Sequence, residues 1–192
     1  MQDENIMRKL FFAATASVAA LAIPSVAHAQ AEVFGGISGG YHDLGVENEV
    51  EDIFDGVTIE DGSFIFGGFV GADVMAGESL FVGAEANFHL GTEALDSEYG
   101  ASARIGFVDA GGAKYYLRGG YQELNLDYSN IIFIDGEELT DADFVGLDDT
   151  AGDYLVGAGV EFPLGESSML RVNVDTIGFD TARATAGVGF RF

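Results

Sequence analysis

The closing stretch Ala182-Arg183-Ala184-Thr185-Ala186-Gly187-Val188-Gly189-Phe190-Arg191-Phe192 alternates residue by residue between apolar and small or polar side chains. Successive side chains of an extended strand point to opposite faces. Ala182, Ala184, Ala186, Val188, Phe190 and Phe192 therefore share one face, and Arg183, Thr185, Gly187, Gly189 and Arg191 the other. A helical period would scatter both sets. The same period of two recurs at 32 to 42, 63 to 74, 79 to 90, 98 to 109, 114 to 125, 152 to 163 and 169 to 177. In the third segment Leu80, Val82, Ala84, Ala86, Phe88 and Leu90 oppose Phe81, Gly83, Glu85, Asn87 and His89.

Eight such segments predict eight strands, and their connections alternate in character. MAGE (75 to 78), AGGA (110 to 113) and GESS (165 to 168) are short. Those at 43 to 62, 91 to 97 and 126 to 151 are longer, with a brief one near 178 to 181. An even strand number, one tight rim and one elaborate rim predict an all-β, antiparallel, up-and-down transmembrane β-barrel. Eleven residues at about 3.3 Å each, tilted by roughly 40°, rise about 28 Å, enough for the apolar band of such a barrel.

Alternation does not say which face is outside, since a soluble barrel places its apolar face inward. The charges decide it. By parity all six bases after residue 29 (Arg104, Lys114, Arg118, Arg171, Arg183, Arg191) fall on the non-apolar face, with Glu32, Asp73, Glu85, Glu98, Asp153, Glu161 and Asp175. A soluble surface in so acidic a chain would share the acidic excess. A narrow lumen must balance its charges, because an unpaired buried charge is costly. Glu85 is expected to face Arg104 on the adjacent strand, with Glu161 near Arg118 and Arg171, and Asp175 and Arg191 in the same lumen network.

The apolar face carries aromatics near its strand ends. Tyr41, Phe64, Phe88, Tyr99, Tyr121 and Tyr154 fall toward the long-loop rim, and Phe107, Tyr115, Phe162, Phe190 and Phe192 toward the short-turn rim. Two girdles around an aliphatic belt suit the two headgroup boundaries of a bilayer. Phe69 and Phe179 have inward parity and break the pattern.

The chain has 192 residues, with 32 acidic against 8 basic side chains, a formal charge of -24, 28 glycines, and neither cysteine nor tryptophan. Its mean hydropathy is nevertheless +0.21. Enough apolar residues are present to exclude disorder as the main state. Scarce Lys and Arg argue against a nucleic-acid partner, and the absence of Cys excludes a disulfide scaffold or a thiol nucleophile.

The first 29 residues read as an export signal. Arg8 and Lys9 precede the uncharged stretch 10 to 23, and Ala27 and Ala29 occupy the two positions a signal peptidase reads, so cleavage is expected after Ala29. Met7 is an alternative start, because Asp3 and Glu4 are unusual ahead of a signal peptide. Domain 30 to 192 then keeps a charge of -24, since two acids leave with two bases. No later run has the eighteen or more apolar residues of a membrane helix.

Together the signal segment, the four-hairpin plan, the glycine-rich strands and the ending Gly187-Val188-Gly189-Phe190-Arg191-Phe192 carry a family likeness. The chain resembles the small eight-stranded outer-membrane barrels of Gram-negative bacteria, the OmpA-type transmembrane domain and opacity-protein-like surface proteins. The resemblance implies residence in the outer membrane as a monomer with periplasmic termini. It also implies recognition of Val188, Phe190 and Phe192 by the outer-membrane assembly machinery. Two-domain relatives continue into a peptidoglycan-binding domain, whereas this sequence stops at Phe192, so wall anchoring is not expected.

By this reading nineteen acids, and no Lys or Arg, fall in the outer loops. Loops 43 to 62 and 126 to 151 hold most of them and are the candidate sites for an extracellular ligand. Three functions follow from such a barrel. One is a non-catalytic surface or envelope-integrity protein with outer-membrane lipids as partners. The second is a small cation-biased pore, for which twelve inward glycines would leave water pockets, although side chains fill an eight-stranded interior. The third is a lipid A-modifying enzyme using His42 or His89 with Ser97 or Ser102, and Asp43, Asp96 or Glu98 as orienting acid. The acidic context makes those carboxylates weak evidence, and no catalytic residue is assigned. No cofactor or ordered metal site is expected. DADFVGLDD (141 to 149) lacks the glycine and closing glutamate of an EF-hand, leaving diffuse divalent-cation association with the loops. Asp135-Gly136 after Ile131 to Ile134 signals a hairpin that would extend the two flanking barrel strands.

Overall fold

Extended segments leave a row of N–H and C=O groups on each side that must find lateral partners, and closing the sheet satisfies both edges at once. The computed structural model describes residues 31–45, 57–59, 62–92, 94–126, 132–134, 137–138 and 150–192, all within the unit Ala31–Phe192. Ala27, Ala29, the 141 to 149 stretch and most acids of the first and third outer loops lie outside these residues.

The strands in chain order are β1 (Glu32–Asp43), β2 (Val57–Ile59), β3 (Gly62–Met75), β4 (Leu80–Gly91), β5 (Leu95–Val108), β6 (Lys114–Leu126), β7 (Ile132–Ile134), β8 (Glu137–Glu138), β9 (Thr150–Pro163), β10 (Ser168–Ile177) and β11 (Ala182–Arg191). Eight of them form a closed antiparallel barrel in the order β1-β11-β10-β9-β6-β5-β4-β3. Closure runs through β1 and β11, from Phe34 opposite Arg191 to Asp43 opposite Ala182. Phe192, just past β11, still donates its backbone N–H to Val33 O at 2.9 Å.

Close approach at the seam depends on glycine. A Cβ on Gly40 would lie inside the van der Waals contact of the Ala184 carbonyl oxygen. At the short-turn rim, Asp109 Oδ1 accepts hydrogen bonds from Gly111 N at 2.8 Å and Ala113 N at 2.9 Å. Gly112 supplies the φ of 83° that this turn requires.

Four local expectations are corrected. The connection expected at 91 to 97 contracts to 92–94, because β5 begins at Leu95 and absorbs the change with a bulge between Leu95 and Ser97. Phe179 faces outward at 75% exposure, because it sits in the β10–β11 turn at φ 72°, where strand parity no longer applies. Asp153 has inward parity but is exposed at the long-loop end of β9, above the enclosed part of the lumen. The hairpin of the third loop forms, with Ile134 opposite Glu137, but it does not prolong β6 and β9. It pairs with β2 of the first loop as a separate three-stranded sheet.

The apolar face is the outer one. Ile37, Val70, Ile105, Leu117, Val174 and Val188 are exposed along it, and so are all eleven aromatics assigned to the two girdles. Directly opposed residues pair those aromatics across strands. Tyr41 meets Phe64 edge-on at 5.2 Å, Tyr121 meets Tyr154 edge-on at 6.3 Å, and Phe107 stacks on Tyr115 at 5.2 Å.

Candidate functional site

Strand parity carries every described base inward. Arg104, Lys114, Arg118, Arg171 and Arg183 are buried, with Asp73, Glu85, Glu98, Glu161 and Asp175 among them. Arg104 is the hub of the short-turn half. Its Nε and Nη2 donate to the two oxygens of Asp73 at 2.8 and 2.7 Å, and its Nη1 reaches Glu161 at 2.8 Å and Glu85 at 3.3 Å. The guanidinium also lies 4.4 Å from the ring centre of Phe34 and 4.5 Å from that of Tyr116.

Glu85 joins the halves of the network. It accepts from Arg104, from Arg118 Nη1 at 2.9 Å and from Arg171 Nη2 at 2.8 Å. Arg118 forks onto Asp175 at 2.7 and 2.6 Å, and Arg183 links Asp175 to Glu98. At the other end Lys114 Nζ binds Asp73 at 2.6 Å and also binds Glu32. The result is a continuous chain of ion pairs from Glu32 near the short-turn rim to Glu98 near the long-loop rim.

The structure thus brings Glu85, Arg104, Arg118, Arg171 and Asp175 together. Glu161 stands opposite Arg171 in the register, but its ion pair is with Arg104 rather than with Arg118 or Arg171. Arg191 stands apart from the hub, 3.5 Å from the half-exposed Glu32. Sequence reasoning placed Asp73, Lys114 and Arg183 on the lumen face but did not single them out. Their joining role depends on which side chains meet across the barrel, and the period of two carries no signal for that.

Long side chains occupy the space beside several of the inward glycines. The Phe34 ring covers Gly71, the Gln122 amide covers Gly100, the Asp175 carboxylate covers Gly157, and Tyr116 with Asn173 covers Gly159. At these four positions a longer side chain takes the space that a Cβ would need. Phe34, Phe69 and Met169 pack together inside the barrel, with Arg171 stacked 4.0 Å from the Phe69 ring centre. Leu44, Ile65, Ala94, Leu95 and Leu124 form a second apolar cluster at the long-loop mouth. The described residues thus place an apolar cluster at the long-loop end above an ion-paired interior.

Both histidines meet Glu98, one of the expected orienting acids, but the serine beside His89 is Ser38, not Ser97 or Ser102. His42 Nδ1 lies 2.7 Å from Glu98 Oε2, and His89 Nδ1 lies 3.1 Å from Glu98 Oε1 without the alignment of a hydrogen bond. His89 Nε2 is 2.8 Å from Ser38 Oγ. The residue types are those of a hydrolytic triad, yet the geometry is that of a filled core. Both rings are buried beneath the apolar mouth, and Glu98 is shared among His42, His89 and Arg183. Among the described residues no cluster of His, Asp and Glu has the arrangement of a metal site.

No protein-family model matches the chain, and no curated protein matches it in sequence. The fold is similar to solved outer-membrane structures. The N-terminal β-barrel domain of OprF from Pseudomonas aeruginosa is 14% identical, with 84% of this chain and 97% of that one covered, at a TM-score of 0.52. Ail, the attachment invasion locus protein of Yersinia pestis, solved with the heparin analogue sucrose octasulfate, is 13% identical over 84% of this chain and 97% of that one, at a TM-score of 0.50. The architecture is that of a small eight-stranded outer-membrane barrel.

Proposed function

We propose that this protein is a non-catalytic, monomeric barrel of the bacterial outer membrane that displays acidic loops at the cell surface and contributes to envelope integrity or surface interaction. One observation carries the reading. The residues a soluble barrel would bury form the exposed wall, and the residues it would expose form the paired interior. Such an inversion is stable only where lipid surrounds the protein.

On this reading residues 1 to 29 direct export and are removed after Ala29. Val188, Phe190 and Phe192 face lipid at the end of the closing strand, available to the assembly machinery, and both barrel termini lie on the periplasmic side. Loops 43 to 62 and 126 to 151 carry most of the surface charge, attract cations and repel anions. Divalent ions associate with them diffusely. Calorimetry with calcium is expected to show weak, unsaturable heats, and no heat beyond dilution removes that association.

The decisive experiment follows the mature chain into lipid. It should enter outer-membrane fractions and migrate differently on gels before and after boiling, and a chain fully soluble without detergent refutes the reading. Deletion of the gene is expected to raise detergent sensitivity or envelope-stress signalling.

A further inference from the structure

We propose that the wall of this barrel selects lipids whose headgroups carry no net charge, and accommodates anionic headgroups only through a bridging divalent cation. The inference rests on the membrane reading above and goes beyond it by naming the lipid class.

Between residues 31 and 192 the chain has six Lys and Arg. Five are at most 5% exposed inside the barrel, and the sixth, Arg191, points inward against Glu32. Both histidines of this segment, His42 and His89, are buried with Glu98. Apart from the α-amino group that cleavage after Ala29 leaves at residue 30, the described side chains of the outer face and both rims therefore offer no cation to a phosphate, and the outer loops contain no Lys or Arg in sequence.

Carboxylates stand where headgroups would lie. Glu78, Asp109 and Glu166 are exposed at the three short turns, and Asp96 is exposed at the other rim. Glu123 projects on the lipid-facing side there and accepts a 2.7 Å hydrogen bond from the Tyr99 hydroxyl. The remaining polar groups of the girdles are tyrosine hydroxyls, which are neutral. They suit ester carbonyls, sugar hydroxyls and zwitterionic headgroups, whereas a net-negative phosphate would meet carboxylates without a counter-charge. Near a membrane surface each basic residue attracts anionic lipid by an amount equivalent to about fivefold in association, and acids reverse the sign. Salt screens the effect between charges more than a Debye length apart, so it is largest at low ionic strength.

Electron spin resonance of the full mature barrel in phosphatidylcholine vesicles tests this, with spin-labelled phosphatidylglycerol or phosphatidylcholine as the reporter. In chelator at low salt, phosphatidylglycerol should associate about threefold or more less strongly than phosphatidylcholine, the scale set by one surface charge acting on an anionic headgroup. Magnesium should bring the two to parity. A variant combining E78K, T92K and E166K should favour phosphatidylglycerol without magnesium. Equal or stronger association of phosphatidylglycerol with the unmodified barrel in chelator overturns the inference alone. Absence of a motionally restricted signal from either label overturns the membrane reading, and this inference with it.

Discussion

At the scale of single residues, Arg104 shows how burial changes the worth of a charge. It neutralises parts of Asp73, Glu85 and Glu161 at once, with its own side chain fully enclosed. Arg104→Ala would strip Glu161 of its ion-pair partner and remove one counter-charge each from Asp73 and Glu85 in a low-dielectric interior, and should cost about 3–5 kcal/mol of unfolding free energy. Arg191→Ala is the contrasting case, since its partner Glu32 is 38% exposed at 3.5 Å. That loss should be at most about 1 kcal/mol. Urea titration of vesicle-folded protein measures both, and equal costs would refute the buried-network account. Parity predicted which of these side chains face inward, but not that Arg104 rather than Arg118 or Arg171 would bind Glu161. That choice depends on how long, flexible side chains cross a curved interior.

Among the elements, the strands were legible because each must satisfy two solvents at once, lipid on one face and a packed interior on the other. The alternation of β11 survives intact for that reason. Where a segment leaves that double constraint, parity fails, as at Phe179 in its turn and Asp153 above the enclosed lumen. Cross-strand aromatic pairs add their own stabilisation. Replacing Tyr121 and Tyr154 with alanine, singly and together, should reveal a coupling of about 0.5–1.5 kcal/mol in a double-mutant cycle. The small sheet of β2, β7 and β8 is a separable element. Phe133→Pro removes a backbone N–H from the central strand of that sheet. It should speed protease cleavage within 43 to 62 and 126 to 151 while leaving the urea midpoint of the barrel unchanged. A matching shift in the barrel midpoint would show that the two sheets unfold together.

For the molecule as a whole, charge and hydropathy are segregated rather than mixed. A nearly balanced set of charges fills the interior, apolar side chains coat the wall, and the acidic excess concentrates in the long loops. Planar-bilayer recording with purified protein is expected to show no conductance steps above the lipid baseline. Among the described residues, side chains occupy the space beside Gly71, Gly100, Gly157 and Gly159, and the apolar cluster of Leu44, Ile65, Ala94, Leu95 and Leu124 stands at the long-loop end, an arrangement that disfavours a hydrated route. Regular single-channel steps from the unmodified barrel would overturn that account and favour a pore.

The sequence by itself determined the number of barrel strands, the two unequal rims, the outward face and the inward placement of every base. Each of these follows from a period of two combined with the cost of stranding a charge in lipid. Only the tertiary structure decided the pairing of those charges, the filling of the glycine gaps, the cluster over the mouth, and the union of the first and third loops in one sheet. Those features join residues far apart in the chain. They arise when closure brings the strands around a common axis, and a local pattern holds no record of which side chains will then meet.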